Sequence, residues 1–251
     1  MSSPAQQALI EIRHLTKAFG RHLLYENLNL TVFQGEILTI MGGSGSGKSM
    51  LLKMILGLEA PTEGEILFEG QNIHTLDDVA LRAVRKRMGM VFQGSALFDS
   101  LDVYDNIAYP IHEHFDYPEE KIAPIVKKRL EMVGLPGIEE LMPDELSGGM
   151  KKRIGLARAI AIDPQVIFYD EPTAGLDPSN ARRIDRLIVS MRNHWQVTSV
   201  LVTHELQSAF AVSDRIALLW ENRLAFLGSA QEARQAQAGP IYEFINGTLE
   251  T

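Results

Sequence analysis

Apolar and polar residues change rhythm several times along this chain. Ala8 to Leu15 and Tyr25 to Val32 alternate apolar with polar side chains, the period of strands with one buried face. Glu36 to Met41 is instead a short, mostly apolar run, as a fully buried parallel strand would be. From Ser49 to Leu58 the apolar residues fall at 51, 52, 55 and 56, a helical spacing. Gly64 to Phe68 and Met88 to Phe92 read as further strands, so the first third is mainly β. From 100 to 162 the pattern turns helical. Pro118 opens one helix there, with apolar residues at 122, 125, 126, 130 and 133, and Gly134 closes it. Strand patterns return at Val166 to Tyr169, Thr198 to Val202, Arg215 to Trp220 and Arg223 to Leu227. Ile241, Phe244 and Ile245 are spaced to anchor one last helical turn.

Strand, helical block, strand predicts an α/β core with an N-terminal antiparallel β-subdomain and an inserted α-helical subdomain. The core spans about 8–93 and 163–230, the helical subdomain 94–162, and a weakly patterned tail 231–251. A chain of 251 residues, 45% hydrophobic, can bury a core of that kind as a single domain. The net charge of −8 disfavours nucleic acid as a partner, since such binders present a basic face. The absence of cysteine excludes disulfide and thiol chemistry. The N-terminal MSSPAQQALIEIRHL lacks the pattern of a secretory signal. No apolar stretch approaches the roughly 18 residues of a membrane span. Cytoplasmic residence is expected, and any membrane role must run through a partner.

Three motifs carry chemistry. Gly42, Gly43, Ser44, Gly45, Ser46, Gly47, Lys48 and Ser49 match G-x-x-x-x-G-K-[ST] between a strand and a helix, the context the motif needs. The glycines let backbone N–H groups turn onto phosphate oxygens, and the helix N-terminus adds positive potential. Lys48 is placed to reach the β- and γ-phosphates, and the Ser49 hydroxyl to ligate Mg²⁺. A flexible turn beside a surface lysine is the bland alternative, which the flanking strand and helix disfavour. Next, Val166-Ile167-Phe168-Tyr169 ends in Asp170-Glu171. Asp170 is expected to hold Mg²⁺. Glu171, pointing elsewhere because strand side chains alternate, is expected to take a proton from attacking water. Alone, such a pair reads as solvated strand-end charge; beside a phosphate loop it reads as a site. Finally, Leu146-Ser147-Gly148-Gly149-Met150 opens a helix with Ser147 as its cap. Two glycines in a first turn cost about 1 kcal/mol each, which points to a close approach by something outside the helix.

Together with Thr203-His204, these motifs resemble the ATP-binding-cassette (ABC) ATPases, in the same order and over residues 9 to 230. The resemblance implies ATP and Mg²⁺ as cofactors and a P-loop NTPase core. It also implies roles at single positions. Phe19 would stack on adenine. Gln93 would sense Mg²⁺ and γ-phosphate, Asp177 would join the two sites of a dimer, and His204 would steady the γ-phosphate and water. Ser147, Gly148 and Gly149 would cap ATP bound to the opposite subunit, so that a homodimer sandwiches two nucleotides. Met150 departs from the usual glutamine and cannot offer an amide to the ribose. Within the family, MVFQGSALFDSLDVYDNIAYPIHEH and LMPDELSGGMKKR are similar to the ATPase subunits of Mla-type systems. Those systems move phospholipid between the membranes of diderm bacteria. The resemblance therefore implies an integral membrane permease, an MCE-domain lipid-binding protein, a small STAS-type regulatory subunit and a peripheral place on the cytoplasmic face of the inner membrane. AGLDP follows the general family pattern instead. An ATPase for amino-acid or other small-solute transport would share every catalytic residue. A non-transport cassette fits worse, since there is one cassette here and no sustained heptad pattern. Leu97, Phe98, Leu101, Val103, Tyr104 and Ile107 read equally as permease dock or as core.

Overall fold

The computed structural model describes residues 7–249. The first six residues of the segment read for a secretory signal, and the last two of the tail, lie outside the described residues.

The chain opens with the hairpin β1 (Ala8–Phe19) and β2 (His22–Phe33), turning at Gly20 with φ +60°. Then come β3 (Ile37–Gly42), α1 (Lys48–Ile55), β4 (Glu63–Phe68), β5 (Gln71–Asn72), α2 (Asp78–Arg85) and β6 (Met88–Val91). Three helices follow: α3 (Val103–His114), α4 (Glu119–Met132) and α5 (Gly148–Ala159). The rest alternates: β7 (Val166–Asp170), α6 (Pro178–Trp195), β8 (Thr198–Val202), α7 (Leu206–Val212), β9 (Arg215–Trp220), β10 (Arg223–Ser229), α8 (Ala230–Gln235) and α9 (Pro240–Asn246).

These strands make two sheets. A four-stranded sheet runs β2-β1-β4-β5, with antiparallel pairing throughout. A six-stranded sheet runs β10-β9-β3-β8-β7-β6, parallel except for the β10 edge. The near-continuous apolar sequence of β7 follows from burial on both faces. Val166 and Phe168 point toward α1 and the antiparallel sheet, while Ile167 and Tyr169 point toward α3 to α6. The helix that begins at the glycine-rich loop is therefore clamped between two sheets. A smaller core lies under α8 and α9, which cover Met41, Ile216 and Leu218.

Three differences from the sequence reading have physical causes. The first third contains α2, which buries only Val84 and so shows little apolar periodicity; its sequence signal is Asp77, whose carboxylate accepts from the Ala80 amide. The apolar pattern does not announce α6, although Asp177 caps it, Pro178 occupies its first turn, and Ile184, Ile188 and Met191 form a narrow buried stripe. The helical stretch is broken between 133 and 147, where Gly134 and Gly137 have positive φ and Pro143 starts a single 3-10 turn.

Candidate functional site

The glycine-rich loop leaves β3 and enters α1 at Lys48. Gly45 and Gly47 have φ of +79° and +88°, which L side chains rarely adopt. At Gly47 a Cβ would also come within 2.8 Å of the Tyr25 ring, whose hydroxyl donates to the Gly47 carbonyl. Burial pushes that phenol well above its ordinary pKa, so it stays a donor. α1 has no side-chain cap and no acidic residue in its first turn, leaving its N–H groups for an anion. Lys48 is buried, and its Nζ donates to the Gly42 and Gly43 carbonyls at 2.9 Å each. Burial lowers its pKa, against the opposing pull of Glu171 and Asp170.

Two carboxylates face this loop from the end of β7. Asp170 is the last residue of that strand, and its Oδ1 accepts from Ser49 Oγ at 3.0 Å. Burial raises its pKa, and the Ser49 hydrogen bond opposes the rise. Glu171 lies beyond the strand, so strand alternation does not aim it. Instead it adopts φ +48° while its amide donates to the Val202 carbonyl at 2.9 Å. This uncommon backbone swings the side chain toward the end of β8. There Glu171 Oε2 accepts from Thr203 Oγ1 at 3.0 Å, and Oε1 lies 2.8 Å from His204 Nδ1. A carboxylate only accepts, so Nδ1 carries the hydrogen and Nε2 is left free.

Ser44, Gly45, Gly47, Lys48, Ser49, Met50, Gln93, Glu171 and His204 line one cleft of about 580 Å³. That volume suits a nucleotide-sized ligand. The structure thus brings together the phosphate loop, Gln93, the carboxylates and His204. Ser49 and Asp170 supply two hard oxygen donors on one side, the set that Mg²⁺ takes from protein when phosphate oxygens complete its shell.

Other residues singled out in the sequence stand away from this cleft. Phe19 is exposed at the hairpin tip, with the Lys17 ammonium 4.6 Å from its ring centre. Ser147 caps α5, accepting from the Met150 amide at 3.3 Å. The two glycines after it differ. Nothing lies within 4 Å of a Cβ built at Gly148, whereas at Gly149 it would meet Asn180 at 2.9 Å. Gly149 is therefore small because α6 packs on it, and Gly148 is the one open to an outside partner. Asp177 is exposed; its carboxylate accepts from the Ser179 and Asn180 amides, and the Asn180 side-chain hydrogen bond is the main cause of its lowered pKa.

The six residues that read equally as dock or core separate. Val103 and Ile107 are fully buried, Leu97 and Tyr104 pack against the same core, Leu101 is half-buried, and Phe98 is exposed. Phe98 packs against Tyr109 with the rings tilted by 43° and their centres 4.6 Å apart, in an apolar groove that also includes Met90, Phe92 and Ile162.

Sequence reasoning missed a hydrogen-bonded chain behind Glu171. Thr203 Oγ1 accepts from the Glu205 amide at 3.0 Å, Thr173 donates to Glu205 at 2.8 Å, and Ser208 lies within 3.3 Å of Thr173 and 3.2 Å of Asp185. No motif announces such a chain, because it joins two groups, residues 171–185 and 203–208, that are distant from each other in sequence. Burial pushes Asp185 up to about 6. An acid whose folded-state pKa is raised binds its proton more tightly when folded, so its ionisation costs stability. That cost is absent below the ordinary value of 3.8 and fully present above about 6. Asp185→Asn is therefore expected to stabilise the protein by about 1–2 kcal/mol at pH 8 and by nothing near pH 3.5. Urea midpoints at the two pH values check this; an equal shift at both would contradict it.

The fold and the cleft define a P-loop nucleotide-binding ATPase. The ABC transporter family profile matches residues 25–174. The intermembrane phospholipid transport system ATP-binding protein MlaF of Haemophilus influenzae is 44% identical over 241 residues, covering 96% of this chain and 91% of that protein. Among solved structures, cbiO1 of Clostridium perfringens, part of the transporter complex cbiONQ, superposes with a TM-score of 0.84 at 28% identity, over 91% of each chain. The cassette MJ0796, a dimer in a post-hydrolysis state with ADP and Pi, has a TM-score of 0.80 at 30% identity, covering 88% of this chain and 98% of that one. The chain belongs to the ABC transporter family, as an ATP-binding, ATP-hydrolysing subunit coupled to transport.

Proposed function

We propose that this protein powers the movement of phospholipid between the two membranes of a diderm bacterium. Two copies close head to tail on two ATP molecules. In each site Lys48 and the amides of the loop and of α1 hold the β- and γ-phosphates. Ser49 and Asp170, with Gln93, would hold Mg²⁺, which would neutralise phosphate charge. Glu171 takes the proton of the attacking water, while His204 keeps Glu171 oriented. Ser147 and Gly148 of the second copy close the site over the γ-phosphate, Asp177 lies where the two copies meet, and Phe19 offers its face to adenine. Loss of the γ-phosphate releases the closure, an order-changing step like other phosphate switches.

The observation that carries the chemistry is Glu171 held at both oxygens across the cleft from Lys48. The exposed signature supports the shared site, because Gly148 has open space and lies outside the cleft of its own chain. The lipid cargo is supported by the 44% identity to MlaF along 96% of the chain. Among the described residues no helix is long and apolar enough to cross a membrane. Kinship with ATP-binding subunits of membrane transport systems supports a peripheral place on the cytoplasmic face of the inner membrane. A permease helix sits in the groove beside Phe98 and Tyr109, and an MCE-domain protein and a STAS-type subunit complete the assembly. Purification from native membranes, with mass spectrometry of proteins and lipids, tests this. A permease, an MCE-domain protein and bound phospholipid are expected. A permease accompanied by a soluble small-solute receptor would move the cargo assignment to amino-acid or other small-solute transport.

A further inference from the structure

α5 carries a buried ammonium to which the chemistry above gives no task. Lys152 lies one turn beyond the exposed Ser147 and Gly148, yet only 6% of it is accessible. Its Nζ donates to the Gln93 carbonyl at 2.5 Å and to the Glu171 carbonyl at 3.2 Å. Those carbonyls belong to two segments that border the cleft. Further along the same helix, Arg158 donates to the Ser95 carbonyl at 3.0 Å, and a Cβ at Gly155 would lie 3.3 Å from that oxygen. Ser95 and Ala96 both have positive φ, so the loop after Gln93 is held in a conformation it would not choose alone. Burial lowers the Lys152 pKa, while Glu171, Glu205 and Asp170 favour its charge. An apolar side chain could fill this space without burying a charge, so packing alone does not account for the ammonium.

We propose that Lys152 is a positioning residue: it fixes the Gln93 loop and the Glu171 backbone to the helix whose first turn meets the second copy's nucleotide. When that first turn is engaged, the shift is passed through one side chain to the hydrolytic groups of the same copy. Each site is thereby informed of the other. This rests on the assignment of Gln93 and Glu171 to the cleft chemistry.

The test uses the full-length chain with Lys152→Met, Lys152→Gln and Glu171→Gln, reading kcat, KM, ATP dissociation constant and thermal midpoint. Lys152→Met is expected to lower kcat about 10- to 100-fold while ATP affinity stays within about twofold. Lys152→Gln, whose amide can donate to both carbonyls over a shorter reach, is expected to fall between Met and the parent. A parental kcat in Lys152→Met, or kcat and ATP affinity lost in equal proportion, overturns the inference; so does a Gln variant no better than Met. Should Lys152→Met fail to fold, Lys152→Gln decides alone: reduced kcat with parental affinity supports the inference, and parental kcat overturns it. Glu171→Gln separates the two levels. If it retains turnover, the assignment beneath is wrong; if it loses turnover while Lys152→Met keeps it, only the Lys152 inference fails.

Discussion

Glu171→Gln is expected to reduce ATP turnover about 10²- to 10⁴-fold while leaving ATP binding in place. The substitution is nearly isosteric. The glutamine carbonyl can still accept from Thr203, and its amide can face His204 once that ring adopts the other tautomer, so the framework seen around Glu171 survives. What disappears is a group able to take a proton from water. The left-handed backbone at this position is unchanged by the substitution, which keeps local folding out of the comparison. Phosphate release and ATP binding measured on the same sample give the answer. Turnover within tenfold of the parent would remove Glu171 from the reaction.

The second large effect is on binding. Lys48→Ala removes a buried ammonium that has only two backbone carbonyls as hydrogen-bond partners, both in the loop itself. Those contacts leave the charge available to phosphate oxygens. A hydrogen bond to a charged group contributes about 1.5–3 kcal/mol, so ATP affinity is expected to fall roughly 10- to 100-fold. The thermal midpoint without nucleotide should change far less, since the loop is also held by Tyr25 and by its own glycine turns. Calorimetric titration with ATP decides the matter, and undiminished affinity would contradict the phosphate role.

Much of the site was legible because its parts are local in sequence. A phosphate loop must sit between a strand and a helix, and Gly42 to Ser49 carry both the glycines and the flanking patterns. The carboxylates were equally plain, since four apolar residues ending in Asp170-Glu171 describe a buried strand reaching a surface. How Glu171 is aimed was not legible. Its direction comes from a positive φ and from Thr203 and His204, which only the parallel pairing of β7 with β8 brings near. Lys152 was hidden for a related reason. On an amphipathic helix a lysine reads as a solvated face, and the carbonyls that bury it lie on the Gln93 loop and after β7. Met150 illustrates the reverse case: it departs from the family pattern, but its amide still closes the Ser147 cap. The long α6 does not stand out because its buried apolar stripe is a single line of three residues against a strongly charged remainder, whereas its cap and proline are plain in the sequence.

The central claim is that each reaction chamber is assembled from two chains, and mixing two crippled proteins tests it most directly. Lys48→Ala spoils the loop half, and Ser147→Arg spoils the signature half, where the exposed cap leaves room for a larger side chain without disturbing the core. Each variant alone has no complete chamber. A cross-linked heterodimer has one in which both halves are intact, and its ATP occlusion and hydrolysis are expected to exceed the sum of the two parents. Verified heterodimers no more active than that sum would contradict the shared site.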